Sequence, residues 1–269
     1  HSAAMLARDM RETGEFAESA DRLREAYEQY VDVLGEDFID TLRTAKSLAV
    51  SLRKLGDYHE ALRITQDSLD RYLKHYGDDH PDTLACKLNL ACDLSALDDK
   101  AMARDMATEV MTSSQHVLGP EHPYTLAAAN NLSTYLRGSG SPGLARDLAE
   151  QTLHALRTRF GEEHPYTLSC AINLANCLAD LGEPGQAEAL LNQTLARLAA
   201  TLGSQHPDTL ICEANLAVAM RENAQMEEAA LVQRRVVAAL TRQLSETHPN
   251  VAALRLWRRQ NRDLEPQPI

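Results

Sequence analysis

The sequence predicts an all-α fold, a right-handed superhelical solenoid of helix–turn–helix repeats, and three features carry that prediction. His-Pro-x-Thr-Leu recurs at a constant spacing of 42 residues, at His80, His122, His164 and His206, with a lead variant at Phe38-Ile39-Asp40-Thr41-Leu42 and a degraded copy at His248. A Leu-Ala pair keeps the same beat, its leucines at Leu6, Leu48, Leu90, Leu132, Leu174 and Leu216, with Ser133 replacing alanine once. Within each unit apolar residues fall three or four apart, as at Leu84, Leu88 and Ala91, which is a helical period and not a strand period. Repeats of this size mean stacked units, each burying a face against the next.

The elements of a unit follow in order. His-Pro opens the first helix, because the fixed φ and missing N–H of proline suit the first helical turn. The Leu-Ala pair lies in that helix, and a break column follows at Gly14, Gly56, Asp98, Gly140, Gly182 and Ala224. A small-residue column, Ala61, Ala103, Ala145, Ala187 and Ala229, begins the second helix. The unit closes on an apolar residue and glycine, as in Leu34-Gly35 and Phe160-Gly161, since glycine takes the left-handed conformation at a helix end without a Cβ clash. Residues 1–262 therefore read as one elongated array, with units near 1–34, 35–76, 77–118, 119–160, 161–202 and 203–244, a capping helix over 245–262, and a tail over 263–269. Arg258 and Arg259 stand in the Leu-Ala columns, so the last helix is expected to face water and seal the stack.

Composition narrows the function. A net charge of −12 has the wrong sign for neutralising a nucleic-acid backbone. No stretch approaches the roughly 20 apolar residues of a membrane span. The five cysteines, Cys86, Cys92, Cys170, Cys177 and Cys212, include no CxxC pair, and three share one packing column. Free buried thiols in a reducing, cytoplasmic setting are expected. The opening His1-Ser2, in mid-helix register, reads as the start of an excised fragment, which leaves room for a partner domain N-terminal to it.

Chemistry-bearing patterns are few. The histidine column repeats once per unit, and equivalent positions on neighbouring helices lie roughly 8–10 Å apart, too far to share one ion. Local helix capping is the expected role, and no metal or cofactor is implied. No phosphate loop, zinc-protease motif or nucleophile elbow occurs, so no catalytic residue is assigned. Tyr124 and Tyr166, after His-Pro, read as loop packing.

The Leu-Ala core of the first helix, the small residue opening the second and the His-Pro-x-Thr-Leu junction together resemble the tetratricopeptide repeat, in its 42-residue kinesin-light-chain form. The high Arg-to-Lys ratio and the ending Asn261-Arg262-Asp263-Leu264-Glu265-Pro266-Gln267-Pro268 resemble the C-terminal part of a bacterial regulatory protein of this type. The resemblance implies a binding scaffold and not an enzyme. The first helices would line a concave surface suited to an extended peptide or a partner's helix.

One column is unexpected inside a helix. Asn89, Asn131, Asn173 and Asn215 each precede the repeat leucine, although the asparagine amide competes with helical backbone bonds. An amide offers a donor and an acceptor, which match the C=O and N–H of a peptide unit. The resemblance likewise implies contact between these four residues and peptide backbone. Asn176, and Asn130 beside Asn131, extend the same face. With helices roughly 8–10 Å apart and about 3.3 Å per extended residue, the column is expected to grip about every third residue.

Basic residues gather towards one end. Arg43, Lys46 and Arg53, with Arg8, Arg11 and Lys54, map to inward or rim positions, Arg137 and Arg221 continue the column of Arg11 and Arg53, and Asp180 and Glu222 oppose them at the other end. This pattern suggests a protein or linear-peptide ligand that is acidic or carries a free C-terminal carboxylate. The alternative is a ligand-sensing segment of a larger signalling protein.

Overall fold

In the computed structural model, which describes residues 2–266, the chain is an all-α repeat solenoid with thirteen helices among the described residues. The first helices of successive units are α1 (Ser2–Glu12), α3 (Ile39–Leu55), α5 (Pro81–Ala96), α7 (Pro123–Gly138), α9 (Pro165–Asp180), α11 (Pro207–Glu222) and α13 (Pro249–Arg255). The second helices are α2 (Phe16–Leu34), α4 (Tyr58–Tyr76), α6 (Lys100–Leu118), α8 (Pro142–Phe160), α10 (Pro184–Thr201) and α12 (Met226–Leu244). The chain forms two compact units, one of residues up to Ala128 together with those from Glu265 onward, the other of Ala129–Leu264.

Each sequence column has a local physical role. The break column is where the backbone goes left-handed: Gly56 takes φ 88°, and Asp98 and Ala224 take φ 68° and 64° despite carrying a Cβ. There the N–H of Gly56 donates to the carbonyl of Arg53 and that of Asp57 to Leu52, the paired bonds of a Schellman end that satisfy the last helical carbonyls. At the start of the first helices, His80 Nδ1 accepts the Asp82 N–H at 3.2 Å and His164 Nδ1 accepts the Tyr166 N–H at 3.1 Å. Histidine is thus an N-cap, and the repeat threonine staples the preceding loop: Thr167 Oγ1 donates to the Gly161 carbonyl at 2.8 Å.

Packing follows the small residues. Ala49 and Ala61 in the first unit, and Ala175, Ala217 and Ala229 in the second, are fully buried, which lets neighbouring helices approach closely. Cys86, Cys170 and Cys212 are free thiols, and their S–H groups donate to helix carbonyls of Thr65, Ala149 and Leu191.

The end of the array differs from the expected capping helix over 245–262. Helix α13 covers only Pro249–Arg255, and Trp257 then takes φ 58°. Trp257 N–H donates to Leu254 and Arg258 N–H to Ala253, a Schellman end that arrives well before the break column would place one. The Arg221 guanidinium lies 4.9 Å from the centre of the Trp257 ring and holds the turn. Arg258 and Arg259 therefore lie outside any helix and do not form the water-facing seal expected of them. The residues after the turn run on without helix into the site described next.

Candidate functional site

In the second unit, α7, α9 and α11 present asparagines along one face, and the non-helical segment from Arg258 to Leu264 lies against them. Asn215 Oδ1 accepts the Gln260 N–H at 2.8 Å while its Nδ2 donates to the Gln260 carbonyl at 2.8 Å. Asn173 holds Arg262 in the same way, at 2.8 Å for both bonds. Asn131 holds Leu264, accepting its N–H at 2.7 Å and donating to its carbonyl at 2.9 Å. Each amide thus clamps one residue at both backbone groups, as a neighbouring β-strand would.

Two further asparagines brace the clamps. Asn176 donates to the Gln260 carbonyl at 2.9 Å, and Asn130 donates to the Arg262 carbonyl at 3.1 Å. Asn173 Nδ2 also donates to Asn130 Oδ1, and Asn215 Nδ2 to Asn176 Oδ1. All five are buried. These cross-links fix which end of each amide donates, so the face is set to receive N–H and C=O in one order.

The grip falls on every second residue, Gln260, Arg262 and Leu264, and not on about every third as the helix spacing suggested. Amides on adjacent helices reach towards one another, as the 3.0 Å bond from Asn173 to Asn130 shows, so they stand closer than the helix axes do. Two extended residues advance about 6.6 Å, which suits that shorter step.

Side chains supply a second set of contacts. Asp263 accepts from Tyr135 Oη and Thr134 Oγ1, both at 3.3 Å, and Asn261 Oδ1 accepts from Arg137 at 2.7 Å. Arg137 also pairs with Asp180 at 2.6 Å. Arg259 pairs with Asp180 and Glu222, Arg262 pairs with Asp208, and Leu264 is buried.

The first unit holds the other predicted residues. Arg53 is buried between Asp93 at 2.6 Å and Glu265 at 3.1 Å, and Lys54 reaches Glu265 at 3.0 Å. Burial alone would raise the Glu265 carboxyl, but Lys54, Arg53 and Arg11 outweigh it and hold it down to about 2. Arg43 pairs with Asp82 at 2.8 Å, and that bond raises its guanidinium above its ordinary value. Lys46 lies 3.6 Å from Asp82, and burial lowers its ammonium despite that partner. Asn89 is buried like the other asparagines, and among the described residues neither end of its amide has a hydrogen-bond partner.

The structure therefore brings Asn131, Asn173, Asn176, Asn215 and Arg137 together on one face in the second unit, and places Arg43, Lys46, Arg53 and Asn89 in the first. Arg43, Lys46 and Arg53 are already engaged by Asp82 and Asp93, partners that sequence reasoning missed. Both acids sit on α5, the first helix of the next repeat, and Asp82 stands in a column that is also acidic at Asp40 and Asp208, which was the available signal. Sequence reasoning also missed Tyr135, Thr134 and the chain's own segment as occupant. Among the described residues no helix is long and apolar enough to cross a membrane, and no cluster of side chains suits a metal.

Paired helices repeated in register, with a face that grips extended backbone, define a helical-repeat protein of the binding type. The tetratricopeptide repeat family matches residues 1–74, 40–116, 125–166 and 167–242, and the chain belongs to it. Among solved structures it is similar to a Podosopora anserina protein of the kinesin light chain type with nearly identical TPR-like repeats, at 28% identity and TM-score 0.57, covering 75% of this chain and 95% of that one. It shares its fold with BtubC (BKLC) from P. vanneervenii, at 17% identity and TM-score 0.59, covering 96% and 98% of the two chains. A Rap protein complexed with competence and sporulation factor also shares the fold, at 12% identity and TM-score 0.67, covering 88% of this chain and 73% of that one. No curated protein sequence matches this chain.

Proposed function

We propose that this chain is a peptide-binding scaffold whose asparagine face holds an extended segment by its backbone, and that its own residues 258–264 occupy the site in cis. The single observation that supports this reading is the double clamp on Gln260, Arg262 and Leu264, which uses backbone groups that every non-proline residue possesses. Side-chain preference comes from the surroundings. Tyr135 and Thr134 favour an acidic residue, and the buried Leu264 position an aliphatic one. An Asp-Leu pair is thus the signature of a partner segment. Occupancy in cis suits a regulatory module whose site opens when the segment is displaced, and buried free thiols suit a cytoplasmic setting.

The test uses the full chain carrying Leu264→Asp, which places a charge at a buried position and unseats the cis segment. A labelled peptide of the sequence Arg258–Pro266 is expected to bind this variant, to bind the parent far more weakly, and to lose binding when Asn131→Ala and Asn173→Ala are added. Absence of binding to the unseated chain overturns the proposal.

A further inference from the structure

The outer face of a surface helix is ordinarily polar, and α6 and α8 follow that rule. They carry the exposed pairs Arg104–Asp105 and Arg146–Asp147, each closed at 2.7 Å. At the equivalent positions α12 has Ala230 and Leu231. Leu231 is 61% exposed, and Met226 on the same helix is 59% exposed. Glu227 and Arg234 flank the apolar pair, and these five residues line one groove. From Ala230 and Arg234 the groove continues along α12 past Val237 and Ala238 to Arg242, with Trp257 also lining it. Among the described residues neither Glu227 nor Arg234 enters an ion pair, unlike the charges they replace on the outer faces of α6 and α8. An apolar patch exposed between unpaired charges marks a surface that another helix covers.

The order of the charges makes this face complementary to itself. Glu227 and Arg234 stand two helical turns apart, about 10.5 Å at 1.5 Å per residue, with Ala230 and Leu231 midway between them. A second α12 laid antiparallel, with a two-fold axis between Ala230 and Leu231, sets Glu227 of each copy against Arg234 of the other. It also sets each Leu231 against a small Ala230, where two helices can approach closely. A parallel arrangement would oppose Glu227 to Glu227 and Arg234 to Arg234, so the charges select one orientation. We propose that a second copy of this chain docks here, forming a two-fold dimer through α12. Leu231 and Met226 supply its apolar centre, and the Glu227–Arg234 pairs fix its register. The interface lies on a second helix, whereas the asparagines lie on first helices, so dimerisation and segment binding use separate elements. One helix from each copy makes a small interface, and micromolar association is expected.

Sedimentation equilibrium on the full chain tests this. The parent is expected to be a weak dimer. Glu227→Arg and Arg234→Glu should each be monomeric alone, because like charges then meet twice across the axis. Mixed in equal amounts the two variants should dimerise, since one chain carries both acids and the other both cations. Leu231→Asp, which installs the residue that α6 and α8 carry at this position, should weaken the dimer by at least roughly tenfold. All three positions are exposed, so circular dichroism should stay that of the parent. A parent that stays monomeric leaves the face to a helix of another protein and overturns the proposal. A dimer that survives both single charge reversals places the contact elsewhere and overturns it equally, and so does a mixture that fails to pair where the parent does.

Discussion

Asn173 and Arg262 are joined by two hydrogen bonds of 2.8 Å running in opposite senses, one to the N–H and one from the side-chain amide to the carbonyl. Asn173→Asp keeps the acceptor and removes the donor, leaving the Arg262 carbonyl short of one partner. The substitution is expected to speed amide exchange at Arg262 and Leu264 by roughly 10- to 100-fold, the effect of about 1–3 kcal/mol for a buried unpaired group, while helix content is unchanged. Hydrogen exchange resolved by residue checks this, and unaltered protection of Arg262 would count against the clamp.

Glu265 ties docking to pH. Its carboxyl sits at about 2 in the folded chain, below its ordinary value of 4.5, because Lys54 and Arg53 outweigh burial. A depressed folded value means that the stabilisation is fully present above about 4.5 and is lost as pH falls towards 2. A fluorescent probe on the segment should therefore report release over this window in the parent chain. Glu265→Gln should dock more weakly at neutral pH, with a flatter acid profile.

Ala224 occupies a left-handed position, φ 64°, where most other repeats carry glycine. Ala224→Gly removes the Cβ clash at a modest cost in unfolded-chain entropy, and about 0.5–1 kcal/mol of added stability is expected. Thermal unfolding should shift upward by roughly 1–4 °C. Asp98→Gly should gain less, since aspartate tolerates this region better than alanine does.

His164 caps α9 through an unprotonated Nδ1, and burial lowers its imidazole below the ordinary 6.5. Because the folded value is the lower one, the cap's contribution is complete above about 6.5 and is lost as pH falls through the folded value. His164→Asn supplies a non-titrating acceptor in the same place. Relative to the parent, this variant is expected to lose less stability between pH 8 and pH 5 in urea unfolding, whereas His164→Ala should cost about 0.5–2 kcal/mol at pH 8.

Much of this architecture is legible because it is local and repeated. The 42-residue beat marks helix starts by His-Pro, turns by the Gly56 column and close packing by Ala175 and its equivalents, and each of these is decided within one or two units. The asparagine column is legible for the same reason, since an amide in mid-helix conflicts with helical propensity wherever it stands. The end of the chain is not. Leu256, Arg258, Arg259 and Gln260 favour helix by themselves, and nothing local announces that they leave α13 at a left-handed Trp257. What holds them is a set of backbone bonds from Asn131, Asn173 and Asn215, remote in sequence and silent about which strand they will take. The counter-ion Asp93 was hidden likewise, since its equivalents in the following repeats are Tyr135, Cys177 and Ala219.

The two-residue advance per repeat turns repeat number into a measure of length. Every additional first helix bearing asparagine at this position lets the array read two more residues of a bound segment, and every loss shortens the reading by the same amount. Alternate residues present both backbone groups to the clamps, so proline is excluded at those positions, while side-chain charge and shape are inspected at clamped and unclamped positions alike. Duplicating or deleting a unit would thus change the number of residues such a protein counts without altering how it reads each one.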